Sequence, residues 1–142
     1  MVAIGCDHGG YDLKEAIINN LKEKGIAYED MGCNNKETCD YPEKGQAVAR
    51  AVALGKCEKG IVVCTTGVGI SIAANKVMGI RAALCTNVST ARLCREHNNA
   101  NVLALGSANV EKEEAFRIVE AFLQTEFSKE ERHKRRVDQI EG

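Results

Sequence analysis

The sequence predicts an α/β fold: a single Rossmann-like three-layer domain over residues 1–142, with a five-stranded parallel sheet and a C-terminal helical tail. Short apolar runs alternate with longer segments of helical period along most of the chain. The apolar run at 60–65 is continuous and rich in β-branched residues, which suits a strand buried on both faces. Such strand–helix alternation places helices on both faces of a parallel sheet.

The predicted elements follow one another in a regular order. The first strand is Val2–Cys6, and the helix after it repeats apolar residues at i, i+4 and i+8, namely Leu13, Ile17 and Leu21. A polar loop at 32–43 holds the only proline. The other predicted strands cover 26–31, 60–65, 80–86 and 102–105, and the predicted helices cover 11–24, 46–54, 70–77, 89–97 and 111–124, before a charged tail at 128–142.

Composition narrows the possible functions. Aromatic residues make up only 4% of the chain and Trp is absent, so stacking platforms for single-stranded nucleic acid are not expected. The net charge of -1 argues against a general polyanion binder. No apolar run approaches the roughly 20 residues that span a bilayer, and the N-terminus lacks a signal-peptide pattern. We therefore expect a cytoplasmic protein without nucleic-acid or membrane partners.

The chain contains seven cysteines, an odd number, without any CxxC pair or export signal. Zinc sites usually draw on close Cys or His pairs, and none occurs here. We therefore predict no metal site and no other cofactor. We also predict that the thiols are reduced and that at most one of them takes part in chemistry.

Four polar or glycine-rich segments directly follow predicted strands, and the first and third strands carry the loops with the most chemistry. Ligands of open parallel sheets bind outside the carboxyl ends of the strands. The richest segment, CTTGVGIS at 64–71, joins the strongest strand to a helix. Its glycines allow backbone N–H groups to crowd toward one point, and the following helix adds its dipole. Such an anion hole favours the ionised form of the Cys64 thiol. The alternative is a plain phosphate-binding loop with a buried structural cysteine.

Other candidate residues have equally ordinary interpretations. Asp7 and His8 can bind a polyol, and His8 also a phosphate, but Asp7 is also a common helix N-cap. His97 closes a predicted helix, where an imidazole can simply interact with the helix dipole. In the charge run of the tail, Arg132 and Arg136 lie at i, i+4 spacing, which suits a bidentate phosphate clamp. A solvated helix face and a nucleic-acid patch are the alternatives.

Together these segments resemble the ribose-5-phosphate isomerase B family, which includes galactose-6-phosphate isomerase subunits and allose-6-phosphate isomerases. The resemblance runs nearly the whole length of the chain. It is carried by GCDHGGYDLK (5–14), DYP (40–42), VVCTTGVGISIAANKVMGIRAA (62–83), REHNNANVLALGS (95–107) and ERHKRRV (131–137).

The resemblance implies roles for individual residues. Cys64 matches the base that moves a proton between C1 and C2 of the sugar, and Thr66 matches a hydroxyl near the sugar oxygens. His97 matches the acid that opens the furanose ring, and Asn98 matches a substrate contact. The amides matching the enediolate hole belong to Thr65, Gly67, Val68 and Gly69. The remaining substrate contacts are Asp7, His8 and Tyr41, with Arg132 and Arg136 on the phosphate.

The resemblance further implies a homodimer, with a tetramer as the alternative, whose active sites combine residues of both subunits and bind a small sugar phosphate. Two departures concern the substrate. Thr65 stands where the family usually has Gly, and Ala108 lies where it commonly has a phosphate-binding Arg. The expected substrate is ribose 5-phosphate, and a hexose 6-phosphate or a non-catalytic sensor role are the alternatives.

Overall fold

The computed structural model describes all 142 residues and contains one sheet of five parallel strands. The strands are β1 (Val2–Cys6), β2 (Tyr28–Asp30), β3 (Lys59–Cys64), β4 (Ala82–Leu84) and β5 (Val102–Gly106), in the spatial order β2-β1-β3-β5-β4. The central strands are the longest and their residues are almost all buried. The predicted fold class and the parallel sheet are confirmed.

Six helices complete the fold. They are α1 (Tyr11–Glu23), α2 (Tyr41–Ala53), α3 (Val68–Asn75), α4 (Val88–Asn98), α5 (Lys112–Gln124) and α6 (Glu131–Glu141). One apolar core lies between the sheet and α1, α4 and α5, and a smaller core lies between the other face and α2 and α3. Each buried Ile or Leu of these cores contributes roughly 1.5–3 kcal/mol of transfer free energy. The predicted three layers are therefore present, and α6 packs outside them on α4.

Most element boundaries differ from the prediction by only a few residues, but α2 starts five residues earlier, at Tyr41 instead of Gln46. The predicted loop at 32–43 included Pro42. Proline is compatible with the first turn of a helix because its missing N–H has no partner there. The outer strands β2 and β4 are shorter than predicted, with three residues each.

The prediction that all thiols are reduced is wrong for Cys33 and Cys39, which form a disulfide across the loop before α2. Their Cα atoms lie 6.6 Å apart, within the usual range for a disulfide. The other five cysteines are free. The buried ammonium of Lys14 holds the same loop, because it donates to the Cys33 carbonyl oxygen at 2.5 Å and pairs with Asp30 at 2.8 Å.

None of the six helices combines the length and the apolar composition that crossing a lipid bilayer would require.

Candidate active site

Cys64 is the last residue of β3, and its sulfur is buried under the loop that follows. The residue is 4% exposed, and its Sγ accepts the N–H of Gly67 at 3.1 Å. Gly67 has a φ of +79°, and a Cβ at this position would lie 2.5 Å from a Leu84 methyl group and 2.9 Å from the Leu105 carbonyl carbon. Only glycine fits there, and its N–H places a donor where a thiolate would carry its charge.

The rest of the loop leads into α3 and lies beside Tyr41. Thr65 and Thr66 are exposed, and the Thr66 hydroxyl accepts the N–H of Val68 at 3.2 Å. A Cβ on Gly69 would lie 2.7 Å from the Tyr41 ring, so the ring is in close contact with the loop backbone. The loop therefore presents hydroxyls, backbone amides and one aromatic ring around the cysteine.

Asp7 and His8 follow β1 beside this loop, since Cys6 and Val63 are paired in the sheet. Asp7 is 7% exposed and caps a short 3₁₀ turn by accepting the Gly10 N–H at 3.0 Å. The capping interpretation of Asp7 is therefore confirmed. The exposed His8 lies with its Nδ1 3.3 Å from both the backbone nitrogen and the backbone oxygen of Cys39. The disulfide loop thus borders the same site.

The turn after β5 closes the third side of this site, through contacts that sequence reasoning missed. The N–H groups of Ser107 and Ala108 donate to the carbonyl oxygens of Cys64 and Thr65, both at 2.9 Å. The Ser107 hydroxyl also donates to the Gly9 carbonyl oxygen at 2.8 Å. The only signal in the sequence was the position of this turn after a predicted strand. Thr65 and Ala108 are thus direct neighbours.

His97 and Asn98 lie at the other end of the molecule, at the last turn of α4. We call the end of the sheet near Cys64 the carboxyl edge and the opposite end the amino edge. Helix α4 starts beyond the carboxyl edge and returns to the amino edge, and its 11 residues span about 15 Å. The side chain of Arg81 fixes this end, donating from Nε to the Asn98 carbonyl oxygen at 3.1 Å and from Nη2 to the Asn99 carbonyl oxygen at 3.0 Å. Arg81 is a second residue that sequence reasoning missed.

Helix α6 packs against this end of α4. His133 is buried at 7% exposure, and its ring stacks on His97 with centroids 4.3 Å apart and planes 12° apart. Burial lowers the pKa of His133, and the charges of His97 and Arg132 lower it further. Arg132 and Arg136 are exposed, and Arg132 pairs with Glu130 at 3.0 Å.

One chain therefore does not unite the predicted site residues. Those at the carboxyl edge are Asp7, His8, Tyr41, Cys64, Thr65, Thr66, Gly67, Val68 and Gly69, and those at the amino edge are His97, Asn98, Arg132 and Arg136. A cavity of about 680 Å³ is lined by amino-edge residues that include Arg81, Asn98 and Ile140 rather than by Cys64. No group of three or more His, Cys, Asp or Glu side chains is placed to hold a metal ion. The absence of a cofactor stays a prediction.

Comparison with known proteins identifies relatives of this chain. A sequence model of the family described as ribose/galactose isomerase matches residues 2–140. Ribose-5-phosphate isomerase B of Escherichia coli (strain K12) is 48% identical over 139 residues, which cover 98% of this chain and 93% of the relative.

Solved structures agree with the sequence comparison. Ribose-5-phosphate isomerase B of Clostridium thermocellum is 52% identical and superposes with a TM-score of 0.96, over 99% of this chain and 94% of the other. The enzyme of the same name from Mycoplasma genitalium, solved with bound ribulose-5-phosphate, is 42% identical with a TM-score of 0.93, over 99% and 93% of the two chains.

Proposed function

The chain belongs to the ribose/galactose isomerase family, and from this membership we propose that it interconverts ribose 5-phosphate and ribulose 5-phosphate. Relatives named ribose-5-phosphate isomerase B match nearly its whole length. The observation that carries the chemistry is the Cys64 sulfur at the end of β3, which accepts the Gly67 N–H at the start of α3. A base beside fixed backbone donors is what proton transfer through an enediolate requires.

In the proposed reaction, His97 first protonates the ring oxygen of the cyclic aldose. The C1–O4 bond breaks, and the anomeric hydroxyl releases its proton to water as the C1 aldehyde forms. The Cys64 thiolate then removes the proton from C2, which breaks the C–H bond and forms S–H. The electron pair forms the C1–C2 double bond of an enediolate, and its negative charge rests on the former carbonyl oxygen. The proton on O2 moves to O1, which shifts the negative charge to O2. The S–H group then returns its proton to C1 as the C2=O bond forms, which gives the ketose and regenerates the thiolate.

We assign the stabilisation of the enediolate to the backbone amides from Thr65 to Gly69 and to the Thr66 hydroxyl. Removing one such donor typically costs roughly 2.7–4 kcal/mol of transition-state stabilisation. In the free chain the Val68 N–H is donated to Thr66 Oγ1, so the substrate oxygen has to share this donor. Cys64 is almost wholly buried, which keeps water away from the reactive carbons once the sugar lies above it.

The remaining contacts follow from the chemistry of the sugar phosphate. Asp7, His8 and Tyr41 border the carboxyl edge and are assigned to the hydroxyl groups of the sugar. Arg132 and Arg136 are assigned to the phosphate, because exposed guanidinium groups one helical turn apart match its oxygen atoms. Asn98 is assigned to the sugar beside His97.

Because His97 lies at the far end of α4, whose length of about 15 Å leads away from the carboxyl edge, we propose that the active site forms between two copies. A two-fold pair places the carboxyl edge of each copy against the amino edge of the other, which creates two equal sites. The exposed apolar side chains beside the amino-edge cavity support such a contact, since Met78 is 93% exposed and Ile140 is 59% exposed. A homodimer is the smallest assembly that completes the site, and a tetramer of two such dimers also does so.

A hexose 6-phosphate is the second candidate substrate. The specific observation is the contact between Thr65 and Ala108, whose backbones are hydrogen-bonded at 2.9 Å. The β-branched side chain of Thr65 and the lack of an arginine at position 108 therefore alter the same part of the site. Loss of one charge-assisted contact costs on the order of 1.5–3 kcal/mol of binding.

The test is an assay of the purified protein on ribose 5-phosphate, allose 6-phosphate and galactose 6-phosphate, each with and without EDTA. We expect ribulose 5-phosphate to form fastest and EDTA to have no effect. Faster turnover of a hexose 6-phosphate would make that sugar, and not ribose 5-phosphate, the assigned substrate. Binding of all three without turnover would identify a sensor and contradict the proposed function, and inhibition by EDTA would contradict the metal-free mechanism.

A further inference from the structure

His133 has no part in the reaction proposed above, yet its ring is among the few buried polar groups of the chain. It occupies the inner face of α6, while Arg132 and Arg136 on the same helix are exposed. The ring covers one face of the His97 imidazole at a centroid distance of 4.3 Å, with the two planes only 12° from parallel.

The surroundings of His133 favour a neutral ring. The groups that face it are His97 from α4, Arg132 and Arg136 from its own helix, and Glu130 just before that helix. Burial and the three cationic neighbours lower the pKa of His133, and only Glu130, 3.5 Å from Nε2, opposes them. Two parallel imidazolium rings would repel each other at this distance. A neutral His133 can stay stacked while His97 binds and releases a proton.

The stack is held from both ends of α6. The Ser128 N–H donates to the Glu96 carbonyl oxygen at 3.2 Å, just before α6 begins. At the other end, Arg81 pairs with Glu141 at 2.8 Å while it also binds the last carbonyl oxygens of α4. These contacts, one between backbones and one through the Arg81 side chain, attach α6 to the end of α4 that carries His97 and so keep the two rings beside each other.

We propose that His133 is a positioning residue for His97, which uses its stacked ring to fix the plane and direction of that imidazole toward the sugar ring oxygen. The inference rests on the proposed function, in which His97 opens the sugar ring. Loss of the stack leaves His97 free to rotate, and a misplaced acid slows ring opening without affecting the proton transfer at Cys64.

Two measurements on the same protein separate these steps. Consumption of ribose 5-phosphate needs ring opening, because this aldose is mainly cyclic. Exchange of a C1 hydrogen of ribulose 5-phosphate with D2O, followed by NMR, needs only enediolate formation, because this ketose cannot form a five-membered ring through its esterified O5. The variants are His133→Ala and His133→Asn, which remove the stack, and His133→Phe, which keeps a flat ring but cannot carry a proton. Lys134→Ala, an exposed position on the same helix, is the control.

We expect His133→Ala and His133→Asn to consume ribose 5-phosphate about 10- to 100-fold more slowly, the usual cost of a misplaced catalytic group, while exchange stays near the wild-type rate. We expect His133→Phe to restore ribose consumption and the control to match wild type. Wild-type ribose consumption by a folded His133→Asn, or equal losses of both reactions in it, would overturn the inference. If His133→Phe loses as much as His133→Ala, His133 acts through its proton and not through stacking, which also overturns it. Absence of exchange in the wild-type protein would instead refute the proposed function.

Discussion

The two edges of the sheet carry their candidate residues in different ways. At the carboxyl edge, backbone donors build the site: within one loop the Gly67 N–H reaches the Cys64 sulfur, and from the turn after β5 the Ser107 N–H reaches the Cys64 carbonyl oxygen. At the amino edge, side chains hold the candidate residues in place: Arg81 binds the end of α4, and His133 stacks on His97. The groups around Cys64 are thus positioned mainly by the path of the backbone, whereas those around His97 depend on single side chains that one substitution can remove.

The largest expected effect concerns the carboxyl edge. Replacing Cys64 by Ala removes the base, and we expect turnover of ribose 5-phosphate to fall by about 10²–10⁴-fold. Exchange of the C1 hydrogen of ribulose 5-phosphate should fall with it, because both reactions use the same proton transfer. Cys57→Ala, which changes a cysteine near Glu29 instead, is the control and should keep its activity. Near-normal turnover by the Cys64→Ala protein would show that Cys64 is not the base.

The second prediction tests whether the two edges belong to different copies. His97→Asn should be impaired in consuming cyclic aldose phosphates but not in exchange, and Cys64→Ala should be impaired in both. When the two inactive variants are unfolded together and refolded, half of the dimers combine one chain of each kind. Each mixed dimer contains one intact site, so we expect about a quarter of the wild-type activity. Activity that stays at the sum of the two separate variants would show that each site lies within one chain.

The third prediction concerns phosphate binding at the amino edge and leaves the groups that transfer protons unchanged. Arg132→Gln removes one charge-assisted contact to the phosphate, worth about 1.5–3 kcal/mol, and should raise KM about 10- to 150-fold. Arg135→Gln removes the same charge from an exposed position of the same helix and should change KM little. Equal increases for both variants would mean that α6 attracts the substrate only through its overall charge.

The smallest effect compares two cysteines at the ends of neighbouring strands. Cys64 receives an N–H at its sulfur, but Cys6 lies in the core, where burial raises its pKa from 9.0 to about 11. The folded protein then keeps the Cys6 proton between pH 9 and 11 while the unfolded chain loses it. Stability is therefore unaffected below pH 9 and falls as the pH rises to 11, by at most about 2.7 kcal/mol. Urea unfolding at pH 8 and 10.5 should show a larger loss for wild type than for Cys6→Ala. Equal losses would contradict the raised pKa.

Much of the fold could be predicted because its signals are local. Alternating apolar runs and helical periods indicated all five strands and the helices around them, and the rule for parallel sheets located the Cys64 loop at a shared edge with Asp7. The start of α2 was less predictable, because Pro42 is compatible with both a loop and a first helical turn. The Cys33–Cys39 disulfide depends on how a polar loop folds back, which has no periodic signal.

The tertiary part of the site could not be predicted. The spacing of Arg132 and Arg136 indicated a phosphate clamp, but nothing in it indicated that His133 between them turns inward onto His97. The hydrogen bonds of Ser107 and Ala108 to the Cys64 loop likewise join residues more than 40 positions apart. Such contacts depend on how α6 and the β5 turn pack against distant segments, and a linear pattern does not contain this information.

The close approach of backbones at the carboxyl edge has a consequence for how the substrate preference of this fold can change. Gly10, Gly67 and Gly106 leave no room for a side chain, because a Cβ at any of them would collide with neighbouring backbone. Mutation can therefore explore only the outward positions of the same turns, such as Thr65 and Ala108. Substitutions there can change which sugar binds while the groups around the sulfur stay in place. The type of reaction can therefore be kept while the substrate changes.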